Sequence, residues 1–190
     1  MSDIAIVYFS GYGHTAKQAE AVADGARSVG SSVKVYRLTD QGNLPEGISL
    51  DEVSRAKAII FGSPTYMGGP AWQFKKFADD CAKLFEPQTW KNKIAAGFTN
   101  SASVSGDKFA TIGYFWTLAM QLGQIWVGTG LLPASKKSST PADINWSSGF
   151  GGAYAISPAD ASVEEAPRSG DLETAKLLGA RVAEWVNKVS

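Results

Sequence analysis

Ile4-Ala5-Ile6-Val7-Tyr8-Phe9-Ser10-Gly11-Tyr12-Gly13-His14-Thr15 is the stretch whose reading decides the fold. An apolar run of strand character ends in a small, hydroxyl-rich loop. A helix-like pattern follows, with Ala16, Ala19, Val22, Ala23 and Ala26 on one face. Strand, loop, helix in that order aims unpaired backbone N–H groups at one point, where an anion can sit. Ser10 and Thr15 add side-chain donors. Neither Lys nor Arg occurs before Lys17, so a phosphate there would be held by dipoles and hydroxyls. Gly11 to Ala16 also fits G-x-G-x-x-A, the dinucleotide fingerprint, and Asp40 follows the second strand about where a ribose-binding acid could lie. A Walker A loop is excluded, because no Gly-Lys-Ser/Thr follows the glycines. An ordinary strand-to-helix turn is the plain alternative.

Outward from this stretch, apolar runs alternate with amphipathic segments. Strands are expected at residues 4–9, 33–38, 57–61, 93–98 and from 124 to 127, with residues 153–157 resuming the fifth. Helices are expected at residues 14–29, 50–54 and 109–122 and from about 171 to 189. A further helix carries Phe74, Phe77, Ala78, Cys81, Leu84 and Phe85 on its apolar side. Residues 128–152 are rich in Gly, Ser and Pro; a connection that long is usually functional or mobile. No repeat or linker divides the chain, so residues 1–190 read as a single domain. The pattern predicts a parallel sheet covered on both faces. Two layouts remain, flavodoxin-like with order 2-1-3-4-5 or a truncated Rossmann sheet, and in both the ligand sits at the carboxyl ends of the strands.

The 190 residues suffice for one substantial core, and an apolar content of 44% suits a globular protein. Lys plus Arg equals Asp plus Glu at 18 each, so the basic footprint of a nucleic-acid binder is missing. Cys81 is the only cysteine, which rules out an intrachain disulfide, and its helical context suits a small buried apolar residue. With one histidine as well, a transition-metal site is not expected. No run is long enough to span a bilayer, and no leader pattern opens the chain, so a cytoplasmic protein without a membrane partner is the expectation.

The loops at the carboxyl ends of strands three and four separate the candidates. Residues 63–70 and 99–106 contain no acid, base or nucleophile–base pair. They offer backbone amides, hydroxyls, Tyr66 and Met67, an inventory for holding the edge of a flat heteroaromatic ring. Hydrolysis would want a general base beside a nucleophile or metal. His14 is better read as a loop residue bonded to phosphate or backbone than as part of a triad, because a helix start disfavours its protonated form. No catalytic residue is therefore assigned.

Ser10-Gly11-Tyr12-Gly13-His14-Thr15, Gly62-Ser63-Pro64-Thr65-Tyr66-Met67-Gly68 and Gly149-Phe150-Gly151-Gly152 resemble the flavodoxin-like NAD(P)H:quinone oxidoreductases of the WrbA type. Leu178-Gly179-Ala180-Arg181-Val182-Ala183 is similar to that family's final helix. The resemblance implies a three-layer flavodoxin-like sandwich, a five-stranded parallel sheet of order 2-1-3-4-5 with helices on both faces. It implies FMN as cofactor, NADH or NADPH as co-substrate and a quinone as acceptor. By the same resemblance Ser10, Tyr12, Gly13, His14 and Thr15 would wrap the FMN phosphate. Pro64, Thr65, Tyr66, Met67 and Gly68 would line the ring. Thr99, Asn100, Ser101, Ser103 and Gly106 would form the third wall, in a loop less glycine-rich than the family's. A homodimer or homotetramer is also implied. Trp90 and Trp146 are candidates for a subunit contact or a lid over the flavin, and Trp185 is expected to pack against the sheet. The competing readings are an FMN carrier or regulator without reductase turnover, a Rossmann-type NAD module, and a non-catalytic interaction domain.

Overall fold

Strand β1, Ile4–Tyr8, is buried along its whole length. Ile4, Ile6 and Tyr8 enter one core, while Ala5 and Val7 enter the other, followed by Phe9 just beyond the strand. Two-sided burial is what a central strand of a parallel sheet requires, and it explains the continuous apolar run. The computed structural model describes residues 3–189.

On one side β1 pairs in parallel with β2, Val33–Arg37, and on the other with β3, Ala58–Tyr66. β3 continues the sheet to β5, Ile94–Ser101. A short β4, Gly69–Pro70, folds back antiparallel on Thr65 and Tyr66. The outer edge of β5 is shared by two pieces. β6, Ile125–Trp126, pairs with Ile94 and Ala95, and β7, Ala153–Ile156, pairs with Phe98 to Ser101. The order is therefore β2-β1-β3-β5, then β6 and β7 in the fifth position. This is the flavodoxin-like order, with the last strand split by the excursion of residues 128–152.

α1, His14–Ser28, and α5, Ser169–Val189, cover one face through Val22, Ala23, Leu178 and Val182. α2, Leu50–Ser54, α3, Trp72–Asp80, and α4, Lys108–Gln121, cover the other through Val53, Phe74, Phe77 and Phe115. Ser49 starts α2 by accepting the Glu52 N–H, and Asp51 and Glu52 suit the positive end of that helix. Among the described residues no helix is long and apolar enough to cross a membrane, and no three His, Cys, Asp or Glu side chains gather to hold a metal.

Three expectations change. After α3 the chain tightens into a 3-10 turn, Cys81–Leu84, so helical periodicity stops and Phe85 turns outward. Trp90 is wholly buried, with its Nε1–H donating to Ser54 Oγ at 2.7 Å, so it is core and neither lid nor contact. Trp185 is partly exposed, with the Lys188 ammonium 5.1 Å from its ring centroid, so it is not a buried core residue.

The excursion of residues 128–152 is closed at its neck. Thr129 N donates to Phe150 O, Thr129 Oγ1 donates to Gly149 O, and Trp126 Nε1 donates to Gly151 O. Its far part returns to α5, where Asn145 N donates to Thr174 Oγ1 at 2.7 Å.

α1 and α5 touch backbone to backbone. A Cβ on Gly25 would lie 1.7 Å from Lys176 O, and one on Gly179 would lie 1.9 Å from Val22 O. In an open helix Ala would be favoured over Gly by about 1 kcal/mol. Here the clash is with backbone, which cannot rotate aside, so overpacking outweighs propensity. Gly179→Ala is expected to lose about 2 kcal/mol of stability, read from urea unfolding midpoints; a gain would show that the two helices separate freely.

Candidate functional site

A cavity of about 550 Å³ opens where the carboxyl ends of β1, β3, β5 and β7 meet. It is lined by Tyr12, His14, Thr15, Pro64, Thr65, Tyr66, Asn100, Ser101 and Ala102, and by Ser157, Pro158, Ala159, Ala161, Ser162 and Val163. No lining residue is an acid, a Lys or an Arg. The size is that of a small-molecule cofactor site.

The first wall is shaped from within. Ser10 is buried, and its Oγ accepts the N–H groups of Gly13 at 3.1 Å and Ala16 at 3.2 Å. Gly13 has φ +93°, which a side chain would oppose, and a Cβ there would press on Val163. Lys17 N donates to Gly13 O, so His14 and Thr15 keep the free N–H groups of a helix start. Those two residues line the cavity.

The second wall is the β3–β4 hairpin. Ser63 Oγ accepts the Ala71 N–H and donates to Pro64 O. Behind it, three hydroxyls form a chain. Thr99 donates to Ser63 O at 2.7 Å, which commits its single proton. Thr65 must then donate to Thr99 at 2.8 Å, and Thr111 to Thr65 at 2.7 Å. This chain ties β3, β5 and α4 together without a charge. Tyr66 meets Tyr12 edge to face at 6.3 Å, and desolvation, aided by Tyr12, pushes the Tyr66 phenol up.

The third wall follows β5. Ser157 donates to Asn100 Oδ1 at 2.9 Å, so the amide NH2 of Asn100 is left available. Beyond Ser101 the chain circles the ammonium of Lys108. Burial pushes that ammonium down to about 8, partly offset by Asp171. Asp171 is buried at the start of α5 and accepts the Ile156 N–H at 2.9 Å. Burial pushes its carboxyl up to about 6, against the pull of Ile156, Lys108 and Arg168.

The fourth wall, residues 157–163, is strapped to α1. His14 Nε2 lies 3.1 Å from Ala161 O; a carbonyl only accepts, so this nitrogen carries the proton. Lys17 Nζ donates to Val163 O at 2.6 Å and to Glu164 O at 3.2 Å.

Of the residues singled out in the sequence, Tyr12, His14, Thr15, Pro64, Thr65, Tyr66, Asn100 and Ser101 come together on the cavity. Ser10, Gly13 and Thr99 lie behind its walls. Met67 and Gly68 form the tip of the β3–β4 hairpin, where Met67 is fully exposed. Ser103 and Gly106 belong to the ring around Lys108; a Cβ on Gly106 would strike Ser101 Oγ at 2.0 Å. Asp40 is exposed and is not among the lining residues. The sequence reading missed residues 157–163, Lys108 and Asp171. The rule that ligands sit at strand ends applied equally to the fifth strand, and Ser157-Pro158 directly follow it. Residues 128–152 supply no lining residue.

The donors around the cavity match the parts of FMN. Open helix-start N–H groups and a hydroxyl suit a phosphate, no carboxylate opposes it, and aromatic and small residues flank space for a flat ring. These residues fit the group.

The Flavodoxin family model matches residues 6–116. The chain is similar to "Flavodoxin FldP" of Pseudomonas aeruginosa, with 47% identity over 96% of both chains. It is similar to "NAD(P)H dehydrogenase (quinone)" of Paracoccus denitrificans, with 32% identity over 97% of this chain and 93% of that one. Among solved structures, a WrbA-like flavodoxin from Agrobacterium tumefaciens superposes with a TM-score of 0.79 and 41% identity over 100% of both chains.

Asp171 gives a pH prediction. Its carboxyl holds its proton more tightly in the folded protein than in the unfolded chain. The stability this confers is complete below about pH 4 and is lost as pH rises through about 6. Asp171→Asn keeps an acceptor for Ile156 and cannot ionise. The variant is expected to gain about 2–3 kcal/mol relative to the parent between pH 4 and pH 7, read from urea unfolding at each pH. A constant difference between the two proteins would show that Asp171 ionises normally.

Proposed function

This chain belongs to the flavodoxin family, and from that premise we propose that it is an FMN-binding redox protein that passes electrons as a carrier. The single observation behind this reading is the cavity itself. Four loops converge at one rim of a parallel sheet and put no acid, Lys or Arg on the cavity lining, with open N–H groups at one end and aromatic edges at the other.

The peptide N–H groups of His14 and Thr15 and the Thr15 hydroxyl would hold the FMN phosphate. Hydrogen bonds to a charged group contribute about 1.5–3 kcal/mol each, so a few of them bind tightly without a cation. Pro64, Thr65 and Tyr66, with the Met67–Gly68 tip, would flank the ring on one side. Asn100, Ser101 and residues 157–163 would flank it on the other. FMN, when bound, supplies one- and two-electron redox chemistry. The chain's part is orientation, a low-polarity setting and peptide dipoles aimed where negative charge grows on reduction. No ionisable side chain need react, which agrees with a lining free of carboxylates, Lys and Arg.

A second reading is reduction of a quinone by NADH or NADPH. Relatives named NAD(P)H dehydrogenase (quinone), at 32% and 31% identity, favour it, as does the WrbA-like structure. The carrier reading is favoured by the relative at 47% identity that is named a flavodoxin.

FMN-loaded protein, mixed with NADH or NADPH and a benzoquinone, is expected to give no steady-state turnover; sustained quinone loss would establish the reductase instead. Thr15→Glu sets a carboxylate where the phosphate belongs. It is expected to weaken FMN binding at least a hundredfold in a fluorescence titration while the far-ultraviolet circular dichroism stays unchanged. Equal FMN affinity in the two proteins would put the phosphate elsewhere.

A further inference from the structure

Lys108 breaks three local rules at once. It is 1% exposed, although a lysine is almost never fully buried without a paired charge. It begins a 14-residue helix, at the end where the peptide dipoles repel a cation. Asp107 before it, a residue type suited to capping, makes no side-chain cap and sits at φ +50°. Such conflicts persist where function holds them in place.

The ammonium is nevertheless fully engaged. Its Nζ donates to Ser103 O at 2.6 Å, Val104 O at 3.0 Å and Ser105 O at 3.4 Å. Three consecutive carbonyls thus converge on one cation. In a planar trans peptide the N–H points opposite to the C=O. Gathering those carbonyls inward therefore turns the N–H groups of Val104, Ser105 and Gly106 outward. Successive N–H groups facing one way form a concavity for negative charge. Ser101 Oγ also donates to Ser103 O, and Val104 is exposed. The loop springs directly from Ser101 and Ala102 on the cavity wall.

We propose that Lys108 is a positioning residue for the flavin site, holding residues 103–105 so that the N–H groups of residues 104–106 face the electron-rich edge of the ring. The role rests on the FMN reading above. A loop with few glycines needs an internal tether to hold such a turn, and the buried ammonium is that tether. Its donors act on the ring through the loop, not by contact. Because the outward N–H dipoles present positive ends, they favour the reduced, more negative flavin over the oxidised one.

The test uses the full chain and FMN itself. In the parent protein, FMN is expected to slow amide hydrogen exchange at Val104, Ser105 and Gly106. This measurement does not depend on any variant folding. Lys108→Met keeps the stem and removes the donors. It is expected to bind reduced FMN at least tenfold more weakly relative to oxidised FMN, equivalent to a two-electron potential about 30 mV lower. Lys108→Arg, which restores a buried cation with several donors, is expected to recover most of that difference. If the parent binds FMN and these amides exchange as before, the inference is overturned. It is equally overturned if Lys108→Met weakens both redox forms alike, since that is the signature of a merely structural residue. A parent protein that binds no FMN removes the flavin reading itself, and this inference with it.

Discussion

An uncharged cavity wall must be held by something other than ion pairs, and that constraint runs through the whole site. Every loop at the rim is fixed by hydrogen bonds to backbone atoms. Ser10 Oγ shapes the first loop, Ser63 Oγ and the Thr111–Thr65–Thr99 chain brace the second, and Lys108 braces the third. Lys17 and His14 fasten the fourth through carbonyl acceptors. Ion pairs such as Arg27–Asp24 and Lys75–Asp79 lie on exposed helix surfaces, where each contributes little. The rim is thus held by directional bonds, and the ammonium groups that take part in it meet carbonyls instead of carboxylates.

This arrangement suits a redox cofactor. A site that must tolerate a change of charge cannot place a fixed carboxylate or an unshielded cation beside it without biasing one state strongly. Peptide dipoles give a milder, oriented field at no cost of reorganisation. Lys108 and Asp171 are both buried, and burial shifts each toward its neutral form, partly offset by the charge of the other. The loops after β5 and β7 are joined by Ser157, whose Oγ donates to Asn100 Oδ1 and whose N–H donates to Ser101 O.

The scaffold beneath is correspondingly rigid. The sheet is buried on both faces, and α1 and α5 approach until only glycine fits at Gly25 and Gly179. Residues 128–152 leave the sheet edge between β6 and β7 and settle on α5, away from the cavity.

The amino-acid sequence determined the local elements and their order, since these follow from short-range periodicity and loop chemistry. The apolar run at residues 4–9, the helix after Gly13, the split fifth strand and the small polar loops were all legible in it. Their meeting at one rim followed from the parallel layout, and with it the places of Thr15, Tyr66 and Asn100. What needed tertiary structure depends on neighbours distant in sequence. Trp90 looked like a loop residue and is core, because Ser54 and Phe61 approach it from other elements. Thr99 looked like a wall residue and is a brace, because Thr65 and Ser63 claim its hydroxyl. Lys108 carried no periodic signal, and only the folded loop shows three carbonyls closing on its ammonium. Pattern along a chain reveals what a residue does for its own segment; the direction of a buried donor is decided by whichever acceptors the fold brings within 3 Å or so.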